Sequence, residues 1–176
     1  MLLNSYIPII LIRKAMKKLY LLLLLFIAIC QASAQIVTIP DTNFKNKLLQ
    51  SGPESGIAKD LSGEFFSIDA NADGEIQLAE AANVSYLSVV GSPYIDSIEG
   101  VNNFTNLTTL YCGLNNLTEL NLSGLPQLTD LSCSYNQLTA LDLSGLPSLE
   151  RIACDMNQLT SINVSGLVNL KYFNCS

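Results

Sequence analysis

One interval recurs through the second half of this 176-residue chain, and it constrains the fold more than any other feature does. Leu107, Leu128, Leu149 and Leu170 stand 21 residues apart, as do Leu110, Leu131, Ile152 and Phe173. Cys112, Cys133, Cys154 and Cys175 keep the same spacing, and so do Asn115, Asn136 and Asn157 and the glycines Gly124, Gly145 and Gly166. The unit reads L-x-x-L-x-C-x-x-N-x-L-x-x-L-x-L-S-G-L-P-x. Val84, Leu87, Val89, Ile95, Ile98 and Phe104 trace an earlier, degenerate copy. A fixed period of about 20–50 residues is the mark of a repeat architecture.

The alternation inside the unit says how each repeat lies. In an L-x-L strand successive side chains point to opposite faces. Leu110 and Cys112 therefore face inward, and Thr109, Tyr111 and Gly113 outward. One coil cannot bury its apolar side alone, so coils stack into a parallel solenoid. The asparagine's amide can satisfy turn backbone groups that stacking would bury unpaired, and SGLP closes the unit with turn residues. The recurring cysteine reads as a small buried hydrophobe. Strands about 4.8 Å apart permit a disulfide by Cα distance, but a disulfide wants its Cβ atoms at about 3.8 Å, closer than in-register side chains stand. Reduced, space-filling thiols are expected, with disulfides between neighbouring coils as the alternative. A linear ladder offers no converging thiolates for a metal.

Residues 35–83 differ in composition and form an expected N-terminal cap. IPDTNFKNKLLQSG predicts a short amphipathic helix capped by Asp41, with Phe44, Leu48 and Leu49 on one face. Further on, DANADGEIQLAE, residues 69–80, matches the EF-hand loop signature D-x-[DN]-x-[DN]-G-x₅-E at every required position. Such a loop wraps one hard cation with oxygens at alternating positions. Asp69, Asn71 and Asp73 would supply side-chain oxygens, Glu75 its carbonyl, Gln77 a contact at position nine and Glu80 a bidentate clamp. Gly74 permits the sharp turn. GEFFSI, just ahead, reads as strand or irregular chain, so no entering helix is expected. The loop thus resembles the calcium loops of dockerins and other extracellular modules. A structural Ca²⁺ of weak affinity, about 10⁻⁴ to 10⁻³ M, is expected.

The first 34 residues read as a secretory signal peptide. Lys14, Lys17 and Lys18 precede the apolar run of residues 19–29, and ASAQ supplies a cleavage site after Ala34. Met16 alone would start a complete signal. The run is shorter than the roughly 20 residues of a membrane span, and Ile29 is bulky where lipidation of Cys30 would want a small residue. All fifteen acids but five of the nine bases follow residue 34, a net charge of −10 on that part. Such a surface repels phosphate backbones, so nucleic acid is not an expected partner. With no histidine in the chain, the commonest general base is missing, and an enzyme is not expected.

The cap helix sequence, the calcium loop and the L-x-x-L-x-C-x-x-N-x-L unit together resemble the secreted, internalin-like leucine-rich repeat proteins of bacteria, Bacteroidetes in particular. The resemblance covers essentially all of the chain after residue 34. It implies an α+β fold: a solenoid over residues 84–176, with parallel strands on its concave face and a small helical cap. It further implies a monomeric secreted or cell-surface protein that binds a protein or surface glycan through that face. Among the outward positions, Tyr111, Arg151 and Tyr172 are the candidate contacts, because tyrosine and arginine carry a large share of interface energy. Members of the group continue through more repeats to a C-terminal sorting domain, whereas this chain stops within a strand at Asn174–Ser176. A truncated chain is therefore expected. The alternative is the recognition region of a longer secreted enzyme.

Overall fold

A computed structural model describes residues 16–21 and 35–176. Residues 16–21 are helical. The rest of the proposed signal, with Cys30 and the cleavage site, lies outside the described residues. Ile36–Ser176 forms one compact unit, in which the 21-residue period becomes a stack of coils.

Each coil crosses an inner, six-stranded sheet once. β2 (Tyr86–Ser88), β3 (Thr109–Tyr111), β4 (Asp130–Ser132), β6 (Arg151–Ala153) and β8 (Tyr172–Asn174) pair in parallel. Leu87, Leu110, Leu131, Ile152 and Phe173 share one register column, and the first four of these are buried. The degenerate first copy aligns only if two extra residues are allowed, since Thr109 pairs with Tyr86, 23 positions back. On the opposite side of the coils, β5 (Ala140–Asp142) and β7 (Ser161–Asn163) make a second parallel ladder that the sequence reading did not foresee.

The repeated asparagines tie coil to coil. Asn136 Nδ2 donates to the carbonyls of Cys112 and Cys133, each at 3.0 Å, while its Oδ1 accepts from Leu117 N–H at 2.9 Å. Asn115 does the same toward Val89 and Cys112 carbonyls and the Ile95 N–H, and Asn157 toward Cys133, Cys154 and Leu138. Each amide thus satisfies backbone in its own coil and in the preceding one, as the sequence implied. Among the described residues no buried side-chain nitrogen or oxygen lacks a partner.

The cap closes the other end. α1 (Thr42–Leu49) begins where Asp41 Oδ1 accepts from Phe44 N–H at 2.9 Å, and it buries Phe44 and Leu48. The other Asp41 oxygen accepts from Asp96 and Ser97 N–H at 2.8 and 3.0 Å. One carboxylate therefore starts the helix and fastens it to the first coil. β1 (Ala58–Lys59) adds an antiparallel strand to the sheet edge, covering what would otherwise be open hydrogen-bonding groups. Phe65 bridges back to Lys59, so GEFFSI is indeed non-helical.

Two expectations need correction. Gly113 does not face out: it and its counterpart one coil on, Ser134, are buried, and a Cβ at Gly113 would meet the Ser134 carbonyl at 2.9 Å. They fall past the strand ends, where the chain is already turning into the next edge of the coil. The cysteines also do not all stay reduced. Cys154 and Cys175 are joined as a disulfide with their Cα atoms 4.6 Å apart, whereas Cys112 and Cys133 are free and buried. The expectation rested on the ideal spacing of about 4.8 Å between in-register strands; at this pair the two coils stand closer, within disulfide reach. Burial pushes the Cys133 thiol up to about 12, with the nearby Asp155 charge adding to it, and burial raises Cys112 as well. Both therefore sit in the core as neutral thiols at about pH 7.

Candidate binding face and calcium loop

The loop of residues 69–80 leads into a four-residue helix, α2 (Leu78–Ala81). Gly74 has φ of 80° and Ala72 of 57°, which let the chain double back. Asp69 accepts from Asp73 N–H at 3.2 Å and Gly74 N–H at 3.0 Å. Asn71 Oδ1 accepts from Asp73 N–H at 3.0 Å. Asp73 Oδ1 accepts from Glu75 N–H at 2.9 Å, and its Oδ2 takes the side-chain amides of Asn71 and Gln77, both at 2.9 Å. The Glu75 side chain turns away to Lys45, 2.6 Å distant. Glu80 is nearly buried and accepts from Ala70 and Gln77 N–H at 2.9 and 3.0 Å.

Four of the six candidate ligands, Asp69, Asn71, Asp73 and Gln77, are therefore linked side by side, with Glu80 behind them. Among the described residues no cluster of three acids, cysteines or histidines stands ready as a metal-holding group. Amide N–H groups, with the Lys45 charge beyond them, offset the Asp73 charge. The donor set still suits a hard cation: turning the Asn71 and Gln77 amides over would present two more oxygens beside the carboxylates. The Glu75 N–H bond is the main influence holding Asp73 below the ordinary aspartate value.

The concave face is built from the outward sites of the sheet. Register places Lys59, Tyr86, Thr109, Asp130, Arg151 and Tyr172 in one column, and Ser88, Tyr111, Ser132, Ala153 and Asn174 in the next. Tyr111, Arg151 and Tyr172 come together around a pocket of about 350 Å³, with Val90, Asp130 and Ile152 also on its walls. Arg151 Nε bonds Asp130 Oδ1; the aspartate side chain is 12% exposed and the arginine side chain 62%. The arginine thus lies over a sunken carboxylate. Beyond the pocket the face is aromatic. Tyr86 meets Tyr111 edge to face at 5.6 Å and Phe65 at 6.3 Å, and Lys59 Nζ lies 4.7 Å from the Phe65 ring centre. The sequence reading missed Asp130 as the pocket floor and missed this row altogether. The 23-residue first interval moves Tyr86 out of the 21-residue count.

No protein-family model matches the sequence, and a comparison with curated proteins finds no match. Among solved structures, an internalin (inlF) from Listeria monocytogenes aligns with a TM-score of 0.54 at 20% identity, covering 76% of this chain and 42% of that one. Internalin C2 from the same species gives 0.49 at 24% identity, over 79% of this chain and 67% of that one. The functional domain of InlJ, also from Listeria monocytogenes and described as including a cysteine ladder, gives 0.48 at 26% identity, over 74% and 32%. By fold, this is a leucine-rich repeat solenoid.

The solenoid corresponds to under half the length of the inlF and InlJ chains it matches. Among its described residues no helix is long and apolar enough to cross a membrane. Its concave face holds a pocket with aliphatic and aromatic walls, one sunken acid and one exposed guanidinium. Arg151 bonds Asp130 through Nε, and its side chain is still 62% exposed. Such a site can seat an apolar side chain and offer a hydrogen bond to an acceptor at its mouth.

Proposed function

We propose that this chain is an exported, non-catalytic recognition scaffold that binds a protein at the cell surface or outside the cell. The single observation that supports the reading most is the gathering of Tyr111, Arg151 and Tyr172 around one pocket on the concave face. Buried aromatic and arginine anchors surrounded by smaller groups are where interface energy concentrates. A protein partner fits better than a glycan. Sugars stack on open ring faces, whereas Tyr86 is already engaged by Tyr111, Phe65 and Lys59. The test is a peptide-display selection on the intact protein, with each enriched clone then measured against the Tyr111→Ser/Tyr172→Ser double variant. Clones bound through the pocket lose at least tenfold in affinity. Enriched clones that bind parent and variant equally would overturn the assignment.

We propose further that residues 69–80 bind a structural Ca²⁺ through Asp69, Asn71, Asp73, Gln77, Glu80 and the Glu75 carbonyl. The donor set supports this, together with the position of the loop between the cap helix and the first coil. Calcium would release the Asn71 and Gln77 amides from Asp73 and stiffen the cap. Thermal melts in millimolar calcium and in chelator provide the test: the parent melts higher with calcium, and Asp69→Ala/Glu80→Ala shows no difference. Identical parent curves in both buffers would reject it.

A further inference from the structure

A second surface lies just beyond the strands, at the turn that carries each ladder asparagine. Leu114, Tyr135 and Met156 precede Asn115, Asn136 and Asn157, with φ of 56°, 57° and 54°. Stacking dictates this left-handed backbone: Leu114 N–H donates to Ser134 O and Tyr135 N–H to Asp155 O, both at 3.0 Å. Nothing in the stack dictates the side chains. They are 50%, 53% and 60% exposed, so the core does not call for their bulk. A left-handed site favours glycine or asparagine. At three successive coils the chain sets both preferences aside and puts a large apolar group in the same place. The outcome is a stripe with a repeat of about 4.8 Å. Exposed apolar groups in register at strained positions point to a contact surface rather than to folding.

The charges around the stripe say what kind of partner it fits. Residues 112–117, 133–138 and 154–159 contain no base and one acid, Asp155. Exposed Asp96 borders the first of these turns, accepting from Asn116 Nδ2 at 3.0 Å. Three of the five bases after residue 34 are already paired: Lys45 with Glu75, Arg151 with Asp130 and Lys171 with Glu150. A second copy of the chain would bring its own excess of fifteen acids over nine bases against Asp96 and Asp155, and anionic lipid would be repelled in the same way. We infer that the stripe docks a cationic polypeptide segment bearing apolar anchors, at a surface separate from the concave pocket.

The test exploits opposite signs. Leu114, Tyr135 and Met156 are replaced together by asparagine in the intact protein. Binding is measured by calorimetry at low salt with a peptide of alternating leucine and lysine and with its leucine and glutamate counterpart. The lysine peptide binds the parent, and the triple variant loses at least tenfold in affinity. The variant's melting midpoint rises by about 3–10 °C, because asparagine suits the left-handed turn. A side chain that served only the fold would move the midpoint the other way. The inference is overturned by equal binding of the lysine peptide to parent and variant, by no binding to the parent, by equal binding of the glutamate peptide, or by a lowered midpoint.

Discussion

Replacing Asn136 with alanine removes one rung of the asparagine ladder and leaves the apolar columns intact. Four backbone groups are affected, but the Ser134 carbonyl loses only a long bond of 3.4 Å and keeps the Leu114 N–H at 3.0 Å. The Leu117 N–H is buried and loses the acceptor it finds in Asn136 Oδ1. An unsatisfied buried donor costs about 1–3 kcal/mol. The Cys112 and Cys133 carbonyls lose one donor each but keep the Asn115 and Asn157 amides at 3.1 and 3.0 Å, so each adds roughly 0.5 kcal/mol. The total is about 2–4 kcal/mol, a large part of a typical domain's stability of about 5–15 kcal/mol. For a chain of this size that lowers the melting midpoint by about 6–12 °C. Asn157→Ala should cost about half as much, since Asn157 is only half-buried and water can replace its bonds. Urea unfolding followed by circular dichroism measures both. A loss below about 1 kcal/mol for Asn136→Ala, or an equal or larger loss for Asn157→Ala, would refute the view that the amides satisfy otherwise stranded backbone.

Gly100→Ala should destabilise strongly, because φ there is 100° and an added Cβ would stand 2.6 Å from the Thr38 carbonyl; a melting midpoint within a degree of the parent would contradict that. Burial pushes the Asp41 carboxyl up, but the N–H groups of Phe44, Ser97, Asp96 and Asn43 outweigh it and hold the acid below its ordinary value. Its stabilising contribution is therefore complete above the unfolded value of about 3.9 and is lost as pH falls through the lower folded value. Asp41→Ala should lower stability by about 1 kcal/mol at neutral pH and flatten the acid limb of the parent's pH–stability curve. Native protein at pH 8 should leave Cys112 and Cys133 unlabelled by a thiol reagent, while unfolding without reductant exposes both and leaves Cys154 and Cys175 unreactive; mass spectrometry reads the sites.

The inward half of the fold was legible because it repeats. Leu110, Leu131 and Ile152 must all face the same interior, so period and alternation predict their burial without any knowledge of the turns. Asn115 was readable for a related reason: a polar residue recurring among buried columns needs a backbone task. The loop of residues 69–80 was readable as a motif, but the roles of Glu75 and Glu80 in the folded cap were not. A salt bridge from Lys45, thirty residues back, and a bond to Ala70 depend on how the cap folds over the loop. Asp130 shows the same limit. Alternation places it outward, yet it is buried because Arg151 of the next coil lies across it. Pairings between coils also produced the Cys154–Cys175 disulfide, where local spacing differs from an ideal ladder by a few tenths of an ångström.

The same division explains how such a chain acquires a binding face without endangering its fold. Inward side chains and ladder amides are tied to neighbours above and below, so a change there propagates along the stack. Outward side chains on the strands touch few neighbours, and Tyr111, Arg151 and Tyr172 differ from one coil to the next while the columns beneath them stay nearly constant. Their meeting at one pocket comes from the coil pitch, which brings residues 21 positions apart in sequence to adjacent places on the sheet. The left-handed turns complete the contrast: their backbone belongs to the stack and their side chains do not. Where the stack fixes a backbone but leaves its side chain unused, a large apolar residue at three coils in succession is most simply accounted for by something outside the chain.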